Sequence, residues 1–99
     1  IEQNIERAIS LYKEVALQGD PAAQFNLGLI YEQGRNGTDC DLQQARQYYE
    51  LAVAQQYVPA FVRLALLYQN GNGIEQDYKK ASELYEFAAN AGNARAQIN

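Results

Sequence analysis

The chain repeats itself. Ala8-Ile9-Ser10-Leu11-Tyr12 returns as Ala45-Arg46-Gln47-Tyr48-Tyr49 after a shift of 37 residues, and as Ala81-Ser82-Glu83-Leu84-Tyr85 after a further 36. Leu27-Gly28-Leu29-Ile30-Tyr31-Glu32-Gln33-Gly34 reappears 37 residues on as Leu64-Ala65-Leu66-Leu67-Tyr68-Gln69-Asn70-Gly71, which places the one extra residue between Gly34 and Asp41. Ile1-Glu2-Gln3-Asn4 matches Ile74-Glu75-Gln76-Asp77 at a distance of 73. A period in the range of roughly 20 to 50 residues is the mark of stacked units that share a core, not of a closed globule. The chain spans about two and three-quarter units. They divide as a partial unit at 1–19, units at 20–56 and 57–92, and a partial unit at 93–99, as expected of an excerpt from a longer array.

Each unit reads as two helices. Asp20 is placed to cap the first, and Pro21 stands at its first position, where a missing N–H costs nothing. Ala23, Leu27, Ile30 and Tyr31 then fall on one stripe, and Gly34, like Gly71 a unit later, ends the helix. Asp41 caps the second helix, with Gln44 three residues on, and Asn4 and Asp77 hold the same position in the other units. Its stripe is Ala45, Tyr48, Tyr49, Ala52 and Val53. These signals predict helices near 4–18, 21–33, 42–55, 59–70 and 78–91, followed by a stub. Small residues recur at Ala8/Ala45/Ala81, Gly28/Ala65 and Ala23/Ala60/Ala96, where helices must approach closely. A lone hairpin of this length cannot bury its stripe, so the fold class expected is all-α, a right-handed α-α superhelix (solenoid) of antiparallel helix pairs.

The pattern Ala23, Gln24, Leu27, Gly28, Tyr31, Gly34, then Gly71, Gly73, Ile74, Asp77, then Ala81, Leu84, Tyr85, Ala88, Ala89, Gly92 resembles the Sel-one-like repeat (SLR), a relative of the tetratricopeptide repeat. The resemblance covers the whole chain. The Gly-x-Gly loop and the longer period separate it from the tetratricopeptide unit. Gln56 and Ala65 replace expected glycines, Phe61 stands where Gln24 and Gln97 do, and the loop at 35–40 is one residue longer than its counterpart. The resemblance implies an adaptor whose curved superhelix holds proteins together. It allows a bacterial envelope, a secreted or an endoplasmic-reticulum setting, and the compartment stays open.

Composition removes most chemistry. The chain has no His, Met or Trp and a single Cys, Cys40, which excludes imidazole-based catalysis, Cys/His zinc sites and an internal disulfide. Eight basic against 12 acidic residues give a net charge of −4, and the scattered cations do not form a phosphate-tracking surface, so no nucleic-acid partner is expected. No apolar run approaches the length that spans a bilayer, and no charged-then-apolar leader opens the chain. Asp39, Asp41 and Glu50 imitate calcium-loop spacing, but Gln44 stands where that loop needs Gly, and Asp41 reads better as a cap. Gly71-Asn72-Gly73 lacks the preceding strand and the remaining signature of a phosphate loop and reads as a turn. Asn36-Gly37-Thr38 is a formal glycosylation sequon and equally a favoured turn. Tyr12, Tyr31, Tyr49, Tyr68 and Tyr85 occupy repeat-equivalent positions and are expected in the core.

No metal, cofactor or catalytic residue is expected, and the function expected is a non-catalytic protein-protein interaction scaffold. The alternatives are a bacterial envelope enzyme of the peptidoglycan or β-lactam hydrolase type, or a purely structural spacer. Against the enzyme, Ser10 and Ser82 fall on outward faces, Thr38 lies in a loop, and none has a His to activate it. If the first helix of each unit lines the concave side, as the resemblance implies, a helical wheel centred on Leu27 turns Phe25, Leu29 and Glu32 toward a ligand, with Asn26 and Gln33 on the shoulders. Val62, Leu66, Gln69, Arg63 and Asn70 are their counterparts in the next unit. Phe25, Leu29, Val62 and Leu66 form an apolar stripe rimmed by amides and one charge of each sign, which fits a protein or peptide partner. The alternative is that some of these residues fill the seam between repeats. Uncovered terminal helices also predict weak self-association.

Overall fold

A computed structural model shows five helices: α1 (Glu2–Leu17), α2 (Pro21–Gln33), α3 (Leu42–Ala54), α4 (Val58–Asn70) and α5 (Tyr78–Ile98). It describes residues 2–34, 41–71 and 75–98, with side-chain surroundings for 7–34, 41–71 and 75–91. No strand occurs among the described residues. Each helix packs on the next in sequence, most extensively within the pairs α2/α3 and α4/α5. The chain is an all-α solenoid of helix pairs.

The caps follow the sequence. Asp20 accepts from the N–H groups of Ala22 (2.8 Å) and Ala23 (3.4 Å), Asp41 from Gln44 (3.1 Å) and Asp77 from Lys80 (3.0 Å). Each bond satisfies an N–H that the first helical turn leaves without a partner. The exit from α3 repeats the exit from α1 even though the residue type changes. Tyr57 N–H reaches Ala52 O and Gln56 N–H reaches Val53 O, just as Asp20 reaches Val15 and Gly19 reaches Ala16. This paired closure needs a left-handed residue, so Gln56 sits at φ 62 where the earlier unit has Gly19 at φ 96.

Three expectations fail. Asn4 does not cap a helix, because α1 runs through it from Glu2. Its counterpart segment is held extended by α4: Asp77 N–H donates to Tyr68 O (2.9 Å) and the Gln76 amide to Gln69 O (2.8 Å). In α1 the same residue types are helical. Second, α5 continues through Gly92 to Ile98 where a break and a stub were expected. Pro21 and Pro59 enforce the earlier breaks, but Ala94 occupies the place of Pro21 and permits helix. Third, Tyr12 is 37% exposed and not a core residue. Among the described residues, no helix packs over it as α2 does over Tyr49.

The main core joins Ala45 and Tyr49 of α3, Phe61, Leu64, Ala65, Leu67 and Tyr68 of α4, and Ala81 and Leu84 of α5. A smaller cluster holds Ala16, Ala23 and Leu27. Asn36, Thr38, Asp39, Cys40, Gly73 and Ile74 lie outside the described residues, so the sequon, the lone thiol and most of the Gly-x-Gly turn receive no structural account.

Candidate functional site

The site is built around Tyr49. It enters from α3 and lies between α2 and α4, fully buried, because Gly28 has no side chain to fill that space. A Cβ at Gly28 would contact Tyr49 Cε1 and lie 2.5 Å from Cδ1. The ring meets Phe25 at 5.8 Å between centroids, and Phe25 in turn meets Tyr57 at 5.4 Å. The phenol donates to Glu32 Oε1 at 2.5 Å. Arg63 Nε of α4 lies 3.6 Å from the same carboxylate oxygen, too long for a hydrogen bond but close enough to offset its charge. Burial, reinforced by the adjoining carboxylate, pushes the Tyr49 phenol well above its ordinary range.

This network settles where several expected groove residues go. Glu32 and Arg63, read from the sequence as two rim charges, pair with each other across the two units. Phe25 and Leu29 are half-buried and pack on the main core, which places part of their surface in the seam. Leu29 also lines a cleft of about 250 Å³ with Asn26, Ile30, Gln33 and Tyr12 of α1. Val62 remains 38% exposed, Leu66 is half-buried, and Gln33, Gln69 and Asn70 are exposed. Gln69 accepts from the Tyr85 hydroxyl at 3.1 Å, the counterpart of the Tyr49–Glu32 bond with an amide in place of the carboxylate.

Two features escaped the sequence reading. Gln24 is buried on the α2 stripe, where its amide donates to Ala16 O (3.2 Å) and its carbonyl accepts from the Gln55 amide (3.0 Å). It thereby ties α1, α2 and α3 together at one end. At the equivalent position Phe61 instead joins α4 to α5 by stacking on Phe87, with centroids 4.2 Å apart. The signal was present in the Gln24/Phe61 substitution, but nothing local shows that the position bridges three helices. The other missed feature is Glu50, which accepts from Tyr68 (3.2 Å) and pairs with Arg46 (3.3 Å), linking α3 to α4 a second time. Among the described residues no cluster of His, Cys, Asp or Glu is arranged to hold a metal. No helix there is long and apolar enough to cross a membrane.

Comparison with known proteins bears directly on this arrangement. The sequence model of the Sel1 repeat matches residues 1–20, 21–57 and 60–93. Protein sel-1 homolog 2 of Rattus norvegicus is 33% identical over 89% of this chain and 13% of its own length. DAP3-binding cell death enhancer 1 of Rattus norvegicus is 37% identical over 93% of this chain and 18% of its own. The chain thus spans less than a fifth of either relative. Among solved structures, the uropathogenic Escherichia coli protective antigen c5321, described as displaying an SLR fold, superposes with a TM-score of 0.79. It is 40% identical, over 85% of this chain and 18% of that one.

Proposed function

As a chain that belongs to the Sel1 repeat family, this one is a protein-interaction repeat by kinship, and we propose that it acts without catalysis, holding a peptide or protein segment along the paired faces of α2 and α4. The observation that carries the reading is the state of those faces. The Glu32–Arg63 pair bridges the two helices at 3.6 Å, while Val62, Gln33, Gln69 and Asn70 stay exposed beside half-buried Leu29 and Leu66. Apolar ground with an amide rim suits an extended or helical segment, because the amides exchange water for backbone partners while the apolar floor is covered. Phe25, Glu32 and Arg63 then act as structural supports and not as contacts. One relative is named for binding DAP3, which is in keeping with a binding role here.

A non-catalytic role is supported by the reactive inventory. Ser10 and Ser82 are exposed on α1 and α5, and the chain contains no His to activate them. Units 20–56 and 57–92 are the pieces from which we build this surface. The test is site-directed photo-cross-linking. A photoreactive phenylalanine analogue at Val62 or Gln33 is expected to trap peptides from a displayed random library, while the same group at exposed Gln47 or Glu83 is not. Equal trapping at all four positions would refute a face on α2 and α4.

A further inference from the structure

The second helices of consecutive units, α1 and α3, both pack on α2 and leave a cleft of about 190 Å³ between them. Lys13, Ala16 and Leu17 of α1 and Tyr48 and Leu51 of α3 form its walls. The cleft lies within the array. Leu51 is 49% exposed although α3 has α1 and α2 before it and α4 and α5 after it. Leu17 is 89% exposed, and its counterpart Ala54, on that same α3, is exposed as well. The openness therefore belongs to these positions in the unit. The next seam, between α3 and α5, offers a comparison. There the matching positions are Glu50, Val53, Ala54, Leu84 and Phe87, and the Phe87 ring stacks on Phe61 with centroids 4.2 Å apart. In the first seam Ala16 stands for Val53, Leu51 for Phe87 and Gln24 for Phe61, and the Gln24 amide is taken up by Ala16 O and Gln55. What the first seam lacks is an aromatic ring.

We infer that this cleft is a docking site for a segment of a partner protein that carries an aromatic side chain with a carboxylate beside it. Size sets the first requirement. An apolar cavity of about 150 Å³ admits a benzene ring, so the cleft takes one ring and seats it between Leu17 and Leu51, where the next unit uses Phe87 of its own. Tyr48, stacked on Tyr31 at 5.7 Å between centroids, gives that ring an aromatic surface to meet. Charge sets the second requirement. Lys13 stands at the rim, and the residues one turn to either side of it, Ile9, Ser10, Ala16 and Leu17, carry no acid. It forms no ion pair among the described residues. Its ammonium lies 6.0 Å from the centroid of Tyr31, at the outer limit of a cation–π contact, which keeps it beside the cleft without neutralising it. On a chain of net charge −4, an acidic segment is disfavoured over most of the surface and favoured at this cation, so the charge selects the place as well as the partner. The cleft shares no residue with the α2/α4 face, and the inference does not depend on that reading.

The probe is a capped synthetic peptide with one Trp flanked by Asp on both sides in an otherwise Gly-Ser sequence, so that either order of ring and carboxylate is offered. Binding is followed by the methyl resonances of Leu17 and Leu51. Saturable shifts are expected with a Kd of about 1 mM or below, about tenfold weaker when Ala replaces Trp and about threefold weaker when Asn replaces both Asp. The chain variant Lys13→Glu should lose the acidic peptide and take up one with Lys in place of Asp. Leu51→Phe, which supplies the ring that the next unit carries, should close the cleft and bind the peptide about tenfold more weakly. Both positions are exposed, so both variants should keep the parent melting curve; if Leu51→Phe does not, the charge exchange at Lys13 decides. Four results would overturn the inference. They are no saturable shift at about 2 mM peptide, equal binding by the Asn peptide, equal binding by a folded Leu51→Phe chain, and a concentration-dependent dimer of the chain alone that covers Leu17 and Leu51, which would make a second copy the occupant. None of these alters the cross-linking expected at Val62, and Gln47 and Glu83 do not line the cleft, so the two readings fail separately.

Discussion

Replacing Gly28 with alanine sets two physical effects against each other. In a helix interior, alanine is more favourable than glycine by about 1 kcal/mol, so propensity alone predicts a more stable protein. Packing predicts the reverse. The new Cβ would contact Tyr49 Cε1 and lie 2.5 Å from Cδ1, roughly 1 Å or more inside the usual carbon–carbon separation. The ring has nowhere to retreat. It is fully buried, its hydroxyl is held at 2.5 Å by Glu32, and Phe25 stands on its flank. Relief requires α2 and α3 to separate along the most extensive contact in the fold or the hydroxyl to leave Glu32. Overpacking costs about 1–3 kcal/mol and a lost hydrogen bond about 1 kcal/mol, against the propensity gain, for a net loss of about 2 kcal/mol. Urea unfolding followed by circular dichroism reads this directly. With a slope of about 1 kcal/mol per molar, the midpoint should fall by about 1–2 M. Ala65, the counterpart of Gly28, shows that the fold admits a methyl where the facing tyrosine, Tyr85, is only half-buried. Gly28→Ala with an unchanged or higher midpoint would refute the reasoning, because propensity would then have prevailed and the ring would not be a rigid wall.

Leu64 is 2% exposed in the main core, so Leu64→Ala should lower stability by about 2–5 kcal/mol, and an unchanged melting temperature would place it outside that core. Tyr49 gives an alkaline signature. Burial first and Glu32 second raise its folded value above the ordinary 10.0, so the stability it contributes is complete below about pH 10 and is lost as pH rises beyond it, by up to about 1.4 kcal/mol per pH unit. Denaturation midpoints of the wild type and Tyr49→Phe between neutral pH and pH 11 should therefore converge on the alkaline side, the variant being less stable at neutrality and declining less steeply; parallel curves would remove Tyr49 as the source.

Much of this architecture was readable from local chemistry. The period is printed in the sequence itself, and the Asp20, Asp41 and Asp77 caps and the stripes through Leu27, Tyr49 and Leu64 depend on residues within a turn or two of one another. Gln56 was visible only as a replaced glycine, and the fold shows that it takes the left-handed conformation Gly19 holds a unit earlier. The groove residues were legible only as positions on a wheel. That Glu32 meets Arg63, and that Phe25 and Leu29 turn partly into the seam, depends on how far α4 sits from α2, which no periodicity contains. The limit is clearest where nearly identical residues behave differently. Glu2-Gln3-Asn4 is helical and Glu75-Gln76-Asp77 is not, because α4 offers the second segment carbonyls for its Asp77 N–H and Gln76 amide. Tyr12 is exposed and Tyr49 buried, and among the described residues only Tyr49 has a glycine-bearing helix closed over it. Local sequence sets which residues share a helical face and where a cap or a break is favoured, since those energies arise within a turn. Whether a face is buried or open is decided by helices some 15 to 30 residues away, whose packing exists only in the folded array.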